Sequence, residues 1–214
     1  MPDTPVARSP IQPAPPMEVR DGWEVSALCS VGALRLADRT PLIKVLVRAS
    51  TRGRVATSLG VPFGRARLDR HGTLIIGSGP DEWLLLAPPH SLGVVTGRVD
   101  TTDDDLVSVV DVTHGRALMR LSGADAHRVL AKVCAIDLSD AVTPDGASFR
   151  CSVAKVATDI VRDDARSLDA PECSYLLHCE RSSGQYLFDA LLDAGREFGI
   201  QVDGFTLDRA VADD

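Results

Sequence analysis

Aromatic side chains make up only 4% of this 214-residue chain. So few ring faces argue against a surface for stacking bases or sugars, and they leave Leu, Val and Ala to fill the core. A basic surplus is also missing. The formal net charge is -7, and a surface of that sign repels phosphate backbones and anionic lipid. One basic cluster, Arg52, Arg54, Arg65, Arg67 and Arg70, reads as a solvated face. The five cysteines (Cys29, Cys134, Cys151, Cys173, Cys179) are odd in number and contain no C-x-x-C pair, so they suggest neither a zinc knuckle nor a thioredoxin-like dithiol. No two of the five histidines stand three or four apart to share a helix face as metal ligands. No apolar stretch approaches the roughly 20 residues that span a bilayer. The N-terminus carries acids and prolines where a secretory signal needs a basic start and an apolar run. These absences predict a cytoplasmic chain whose cysteines act as small buried hydrophobes.

What is present is alternation, punctuated by turns. Six of the thirteen prolines fall within residues 1–20, which predicts an extended proline-rich arm, unstructured in isolation. Residues 21–200 read as one folded domain and 201–214 as an acidic, frayed tail. Leu42–Arg48 is rich in branched residues and predicts a strand. Thr51–Leu59 predicts a short helix stopped by Gly60, and Ser91–Val99 a second. Between them, Thr73–Ile76 and Glu82–Ala87 predict a hairpin turning on Gly77-Ser78-Gly79-Pro80-Asp81. The run from Asp100 to Asp105 is acidic and expected on the surface. Val107–Val112 and Ala117–Leu121 predict two strands joined by the turn Thr113-His114-Gly115-Arg116. Ser122 with Asp125 has capping-box spacing ahead of the stripe Ala126, Val129, Leu130, Val133. Phe149–Val153, Val156–Val161 and Ser174–Cys179 predict strands, with a charged loop from Arg162 to Cys173. Ser182 with Gln185 repeats the capping-box spacing ahead of Leu187, Leu191, Ala194 and Phe198, and Gly199 stops that helix. The order describes an α+β fold of two similar strand-helix-strand-strand-helix halves. In it, mainly antiparallel sheets carry helices on one face.

Candidate chemistry is sparse. Gly77-Ser78-Gly79 invites a dinucleotide reading, but Glu82 stands where the third glycine belongs and would repel a pyrophosphate. Phosphate-loop, zinc-protease and G-x-S-x-G motifs are absent. Asp111, His114 and Arg116 surround one turn and would suit acid–base work, though polar turns routinely use such residues. Cys134 near Asp137 ends an apolar stripe and reads as core. His178 and Cys179 are neighbours on a strand, point to opposite faces and cannot activate one another. At Asp81-Glu82-Trp83 the acidic pair reads as a turn that seats Trp83 in the core or at an interface.

Several short runs carry a resemblance, in order: Gly79-Pro80-Asp81-Glu82-Trp83-Leu84-Leu85; then Leu121-Ser122-Gly123-Ala124-Asp125-Ala126 with Val129-Leu130-Ala131-Lys132 and Cys134-Ala135-Ile136-Asp137-Leu138 behind it; then Arg181-Ser182 through Tyr186-Leu187 to Glu197-Phe198-Gly199. Over about Leu46 to Ile200 the chain resembles the gamma subunits of heterotetrameric sarcosine oxidases. The resemblance implies a fold related to the folate-binding domain of aminomethyltransferases. It implies a non-catalytic chain that binds no cofactor and no metal itself, with alpha, beta and delta subunits as partners. That assembly oxidises sarcosine to glycine and forms peroxide, with FAD, FMN, NAD and tetrahydrofolate on the other subunits. The one-carbon unit leaves as formaldehyde or passes to tetrahydrofolate. Gly79, Pro80, Asp81, Glu82, Trp83, Ser122, Gly123, Asp125, Asp137, Arg181 and Ser182 are then structural or interface residues. The sequence departs from the family at Ala141–Gly146, which lacks an aromatic, at Gly184, and in the longer Arg162–Cys173 loop. It has no counterpart of the aminomethyltransferases' catalytic aspartate region. The alternatives are a stand-alone tetrahydrofolate-binding or one-carbon transfer protein, and a scaffold acting through its arm and tail.

Overall fold

The computed structural model describes residues 5–99, 102, 106–166 and 171–207. The acidic run at 100–105, apart from Thr102, and the last seven residues therefore lie outside the described residues, as do residues 167–170 of the charged loop.

The chain opens with β1 (Ala7–Arg8), β2 (Met17–Arg20) and β3 (Trp23–Ser26). β2 and β3 pair antiparallel across Asp21-Gly22, both at positive φ, the backbone a tight two-residue hairpin requires. β1 lies parallel to β3. This differs from the unstructured arm expected for residues 1–20. The prolines sit between the short strands, and Ile11 is 1% exposed within the main core. Pro10 packs over Gly184, where an added Cβ would come within 2.9 Å of its ring.

β4 (Leu34–Asp38) precedes two successive units of the same plan. The first is β5 (Ile43–Ala49), α1 (Arg54–Leu59), β6 (Ala66–Leu68), β7 (Leu74–Gly79), β8 (Glu82–Ala87), α2 (Leu92–Gly97) and β9 (Val107–Asp111). The second is β10 (Arg116–Gly123), α3 (Ala126–Val133), β11 (Ser148–Val153) and β12 (Val156–Arg162), then the small hairpin β13 (Ala165–Arg166) and β14 (Pro171–Glu172). It closes with β15 (Ser174–Glu180), α4 (Gly184–Gly195) and β16 (Gln201–Asp203). The first sheet runs β6-β7-β8-β5-β9 and the second β11-β12-β15-β10-β4-β16. All these pairs are antiparallel except β16 with β4. The two-half expectation therefore holds, each half carrying more strands than the three the sequence suggested.

Period-two alternation explains the layers. Trp83, Leu85 and Ala87 of β8 face α1 and α2, while Leu84 and Leu86 face the other sheet. Likewise Tyr175, Leu177 and Cys179 of β15 face α3 and α4, and Leu176 points the other way. Leu74, Ile76, Leu84 and Leu86 meet Leu118, Val161 and Leu176 in a seam between the two sheets. Each sheet is thus buried on both faces, which is why these strands read as near-continuous apolar runs.

Three local expectations change. Strands 107–112 and 117–121 are not a hairpin: β9 pairs with β5 and β10 with β4 and β15, so the chain crosses between sheets at residues 113–115. Turn residues specify a reversal but not the strand lying opposite. Ser122 caps nothing, because it still belongs to β10 and pairs with Ser174 and Arg35; Asp125 takes the N-cap without a side-chain cap bond. Before α4 the chain makes a 3₁₀ turn at Arg181–Ser183, which moves the N-cap to Ser183. Gln185 instead accepts the Gln12 N–H at 2.7 Å and donates to Asp189 at 2.8 Å. The expected tail also joins the fold, with β16 paired and Phe205 buried against Trp23 and Val25.

Lys44 lies fully buried at the start of β5. Its Nζ donates to the carbonyls of Thr40 (2.7 Å) and Leu42 (2.8 Å), which suits the two N–H donors of a neutral amine. Burial lowers its pKa to about 7; Asp38 and Asp111 oppose the shift and Arg181 adds to it. The unfolded chain then binds more protons than the folded one between about pH 7 and the ordinary lysine value of 10.5, so stability gains with pH across that window. Urea titrations should show wild-type stability rising relative to Lys44→Met from pH 7 to 10; a constant difference would contradict a neutral buried amine. Ile11→Ala should cost about 2–4 kcal/mol in the same assay, as for a core truncation. A change within the scatter of a surface substitution would return residues 7–20 to a loose arm.

Candidate functional site

Polar residues collect where β7 and β8 of the first sheet approach β11, β12 and β15 of the second. On the first sheet, Glu82 is the cross-strand partner of Arg48 and accepts from its Nε at 2.9 Å and Nη2 at 2.8 Å. The Ser78 hydroxyl donates to Glu82 Oε1 at 3.1 Å. The neighbouring turn is tight, with Asp81 at positive φ and its Oδ1 accepting the Thr51 N–H at 2.7 Å. Trp83 is buried and donates its indole N–H to the Val61 carbonyl at 2.8 Å. Gly77 admits the Pro62 carbonyl where an added Cβ would lie only 2.2 Å away. The Gly79–Trp83 run thus shapes a turn and anchors a strand.

On the second sheet, Arg150, Asp159 and His178 are successive partners across β11, β12 and β15. Asp159 accepts Arg150 Nε at 2.6 Å and Nη2 at 3.0 Å, a bidentate pairing. His178 Nδ1 lies 3.0 Å from Asp159 Oδ2 without an aligned hydrogen bond. Burial alone would raise the Asp159 pKa, but His178 and then Arg150 outweigh it and bring it to about 2. Asp159 in turn raises the pKa of Arg150, with smaller contributions from Glu82 and Glu180. Ser78, Ser148, Asp159 and His178 line an inter-sheet cavity of about 10 Å³, room for one water. That space is far below the 300–1,000 Å³ typical of small-molecule pockets. A wider cleft of about 450 Å³ opens over Ile75, Leu85 and Val95, with Arg67, Arg70 and Arg98 around it. There Asp69 accepts the N–H groups of His71 and Thr73 and stands 3.7 Å from Arg98. Among the described residues no group of three or more His, Cys, Asp or Glu is placed to hold a metal ion.

The candidate residues of the turn before β10 do not converge. Asp111 accepts the Thr113 N–H at 2.9 Å, His114 stacks on Trp23 with ring centroids 4.8 Å apart, and Arg116 pairs with Glu180 at 2.7 Å. Asp137 accepts the Ser139 N–H at 2.9 Å, which holds its carboxyl below the usual range. Cys179 points into the helix-side core, where burial raises its thiol to about 11, while His178 faces the seam. Gly123 sits at φ 131 where a Cβ would meet the Ala33 carbonyl at 2.2 Å, so a glycine is needed for the chain entering β4 to pass this close to the end of β10. Asp125 pairs with Arg128 at 2.8 Å. Arg181 donates to the Arg8 carbonyl at 2.6 Å and so fastens the first strand, while Ser182 lies in the 3₁₀ turn. The Arg150–Asp159–His178 row was not read from the sequence, where its members are scattered and only strand register joins them.

Comparison with known proteins adds to this geometry. Residues 82–208 match the family of the GCVT N-terminal domain. The chain belongs to that family. This GCVT-domain chain is 32% identical over 127 residues to the aminomethyltransferase of Geobacillus thermodenitrificans (strain NG80-2), covering 59% of this chain and 33% of that one. It is 33% identical over 84 residues to sarcosine oxidase subunit gamma from Arthrobacter sp, and equally to that from Corynebacterium sp. (strain P-1). Each of those matches covers 39% of this chain and 41% of the relative, so the similarity spans well under half of these curated proteins. A chain of the heterotetrameric sarcosine oxidase from Corynebacterium sp. U-96, solved with pyrrole 2-carboxylate, superposes with a TM-score of 0.65 at 24% identity. The match covers 80% of this chain and 88% of that one. The glycine cleavage aminomethyltransferase T of Bartonella henselae also gives 0.65, at 14% identity over 88% of this chain and 55% of its own. The α+β fold expected from the sequence is therefore that of the GCVT domains.

Asp159→Asn tests the row. With a folded pKa of about 2 against an ordinary 3.8, the carboxylate's contribution is present above pH 4 and fades as pH falls toward 2. The substitution should cost on the order of 1–2 kcal/mol at neutral pH, after allowance for solvent screening, and should flatten stability between pH 4 and 2. An unchanged acid limb in chemical denaturation would remove the row from the account.

Proposed function

We propose that this GCVT-domain chain is the non-catalytic gamma subunit of a sarcosine oxidase-like flavoenzyme complex. In this reading alpha, beta and delta subunits are its partners. They carry FAD, FMN, NAD and tetrahydrofolate, and the assembly converts sarcosine to glycine and peroxide, with the one-carbon unit passed to tetrahydrofolate or released as formaldehyde. The observation that carries the reading is the 33% identity to two curated gamma subunits. The site geometry supports it: Arg48 is paired with Glu82 on one sheet and Asp159 with Arg150 and His178 on the other, and the cavity that Asp159 and His178 line has room for one water. Charged groups held in this way stabilise a scaffold. No helix among the described residues is long and apolar enough to cross a membrane, and a cytoplasmic location accords with the reading.

The GCVT fold also favours a second reading, a stand-alone tetrahydrofolate-binding or one-carbon transfer protein. Two measurements separate them. Affinity purification from the native source should recover the chain in a yellow complex with flavin absorbance and three larger or smaller partners. Recovery only as a flavin-free monomer would overturn the subunit reading. Titrating the purified chain with tetrahydrofolate while following Trp23 and Trp83 fluorescence should give no saturable change, whereas saturation at micromolar ligand would favour the second reading.

A further inference from the structure

Cys134 and Cys151 are seventeen residues apart in the sequence, yet their sulfur atoms lie 3.3 Å apart. Two elements bring them together. Cys134 follows the last turn of α3 with extended backbone, its N–H donating to the Leu130 carbonyl at 2.8 Å. Cys151 sits in the middle of β11, the edge strand of the second sheet, opposite Thr158. A separate bond from the Ala154 N–H to the Val133 carbonyl, 2.9 Å, already ties the end of α3 to the β11–β12 turn. Backbone contacts therefore hold the two thiols in register. Cys134 is 7% exposed within the helix-side core, and Cys151, half-buried at its edge, is the more accessible of the two.

We propose that Cys134 and Cys151 form a redox-modifiable dithiol, which a hydroperoxide closes into an intramolecular disulfide fastening the end of α3 to β11. The first sulfur attacks the peroxide O–O bond and becomes a sulfenic acid as water leaves. The second sulfur then displaces the sulfenic oxygen as a second water. Two thiols and one hydrogen peroxide thus give one disulfide and two waters. Closing from 3.3 Å to a bond of about 2.05 Å asks for roughly 1 Å of side-chain movement. At this spacing the second step outruns further oxidation, so the pair stops at the reversible stage of the ladder instead of reaching a sulfinic acid. The first step is slow, because burial and the neighbouring thiol push the Cys151 thiol up to about 12 and thiolate is scarce. The pair therefore responds to sustained peroxide and not to a brief pulse. This inference concerns the chain's own chemistry and stands apart from the subunit reading, although a peroxide-forming neighbour would supply the oxidant.

The test uses the full-length chain carrying Cys29→Ser, which removes the one exposed thiol. Hours in millimolar hydrogen peroxide should lower the intact mass by about 2 Da, and thiol reductant should reverse the loss. Unreduced proteolysis should then yield one peptide linking residues 134 and 151, with Cys173 and Cys179 still open to alkylation after unfolding. The oxidised chain should melt several degrees higher than the reduced one, and Cys151→Ser should abolish both the mass loss and the shift. Three outcomes would each overturn the proposal: oxygen added at Cys151 without a cross-link, a disulfide through Cys173 or Cys179, or a mass unchanged while exposed Cys29 in the parent chain is fully oxidised. Cys134→Ser should abolish the mass loss and the shift too; if that variant fails to fold, the Cys151→Ser comparison alone decides.

Discussion

The aliphatic seam between the two sheets is the contact on which the other features depend. Neither half can bury the inner face of its sheet alone. Leu84 and Leu86 need Leu118, Val161 and Leu176 opposite them, and those residues need β7 and β8. Connectivity enforces the pairing. β4 joins the second sheet before the first half is built, and the chain crosses back between β9 and β10. Buried Lys44 and Thr40 lie along the first of these crossings. Thr40 donates and accepts with Leu118 of β10, while the Lys44 backbone N–H donates to the Thr113 hydroxyl oxygen. The carboxylates at the ends of the seam, largely withdrawn from solvent, pair with cations that reach out to water, giving the Arg48–Glu82 pair on one sheet and the Arg150–Asp159–His178 row on the other.

Much of this is readable from residue order. Strand-length apolar runs, glycine-stopped helices at Gly60 and Gly199, and the duplicated plan follow from local alternation and left-handed caps. Partner choice is not local. The turn at residues 113–115 looks like a hairpin from within, and only competition between two sheets decides that its flanks separate. Both capping-box spacings misled, because a strand persisted through Ser122 and a 3₁₀ turn delayed α4. One signal was available for the first segment: Asp21-Gly22 is a strong two-residue hairpin sequence, and with Ile11 it marks that stretch as folded despite its prolines. The Arg150–Asp159–His178 row and the Cys134–Cys151 contact had no sequence signal, since each depends on register between segments far apart in the chain.

For function, how these charges are held matters more than how many there are. A catalytic carboxylate needs access to substrate and a pKa matched to its task. Asp159 has both oxygens engaged by Arg150 with His178 beside it, and its pKa is held low. The motif residues Gly79 to Trp83, Gly123 and Arg181 likewise explain themselves by turn geometry, close backbone approach and attachment of the first strand.

The central claim is that the seam makes the two halves one cooperative unit. Native-state amide hydrogen exchange along a denaturant series tests it most directly, read on β8 in the first sheet and β15 in the second. The account predicts that both strands open with the same free energy and the same denaturant dependence, through global unfolding. If β8 exchanged through a separate, smaller opening while β15 stayed protected, the halves would be independent and the account would fail.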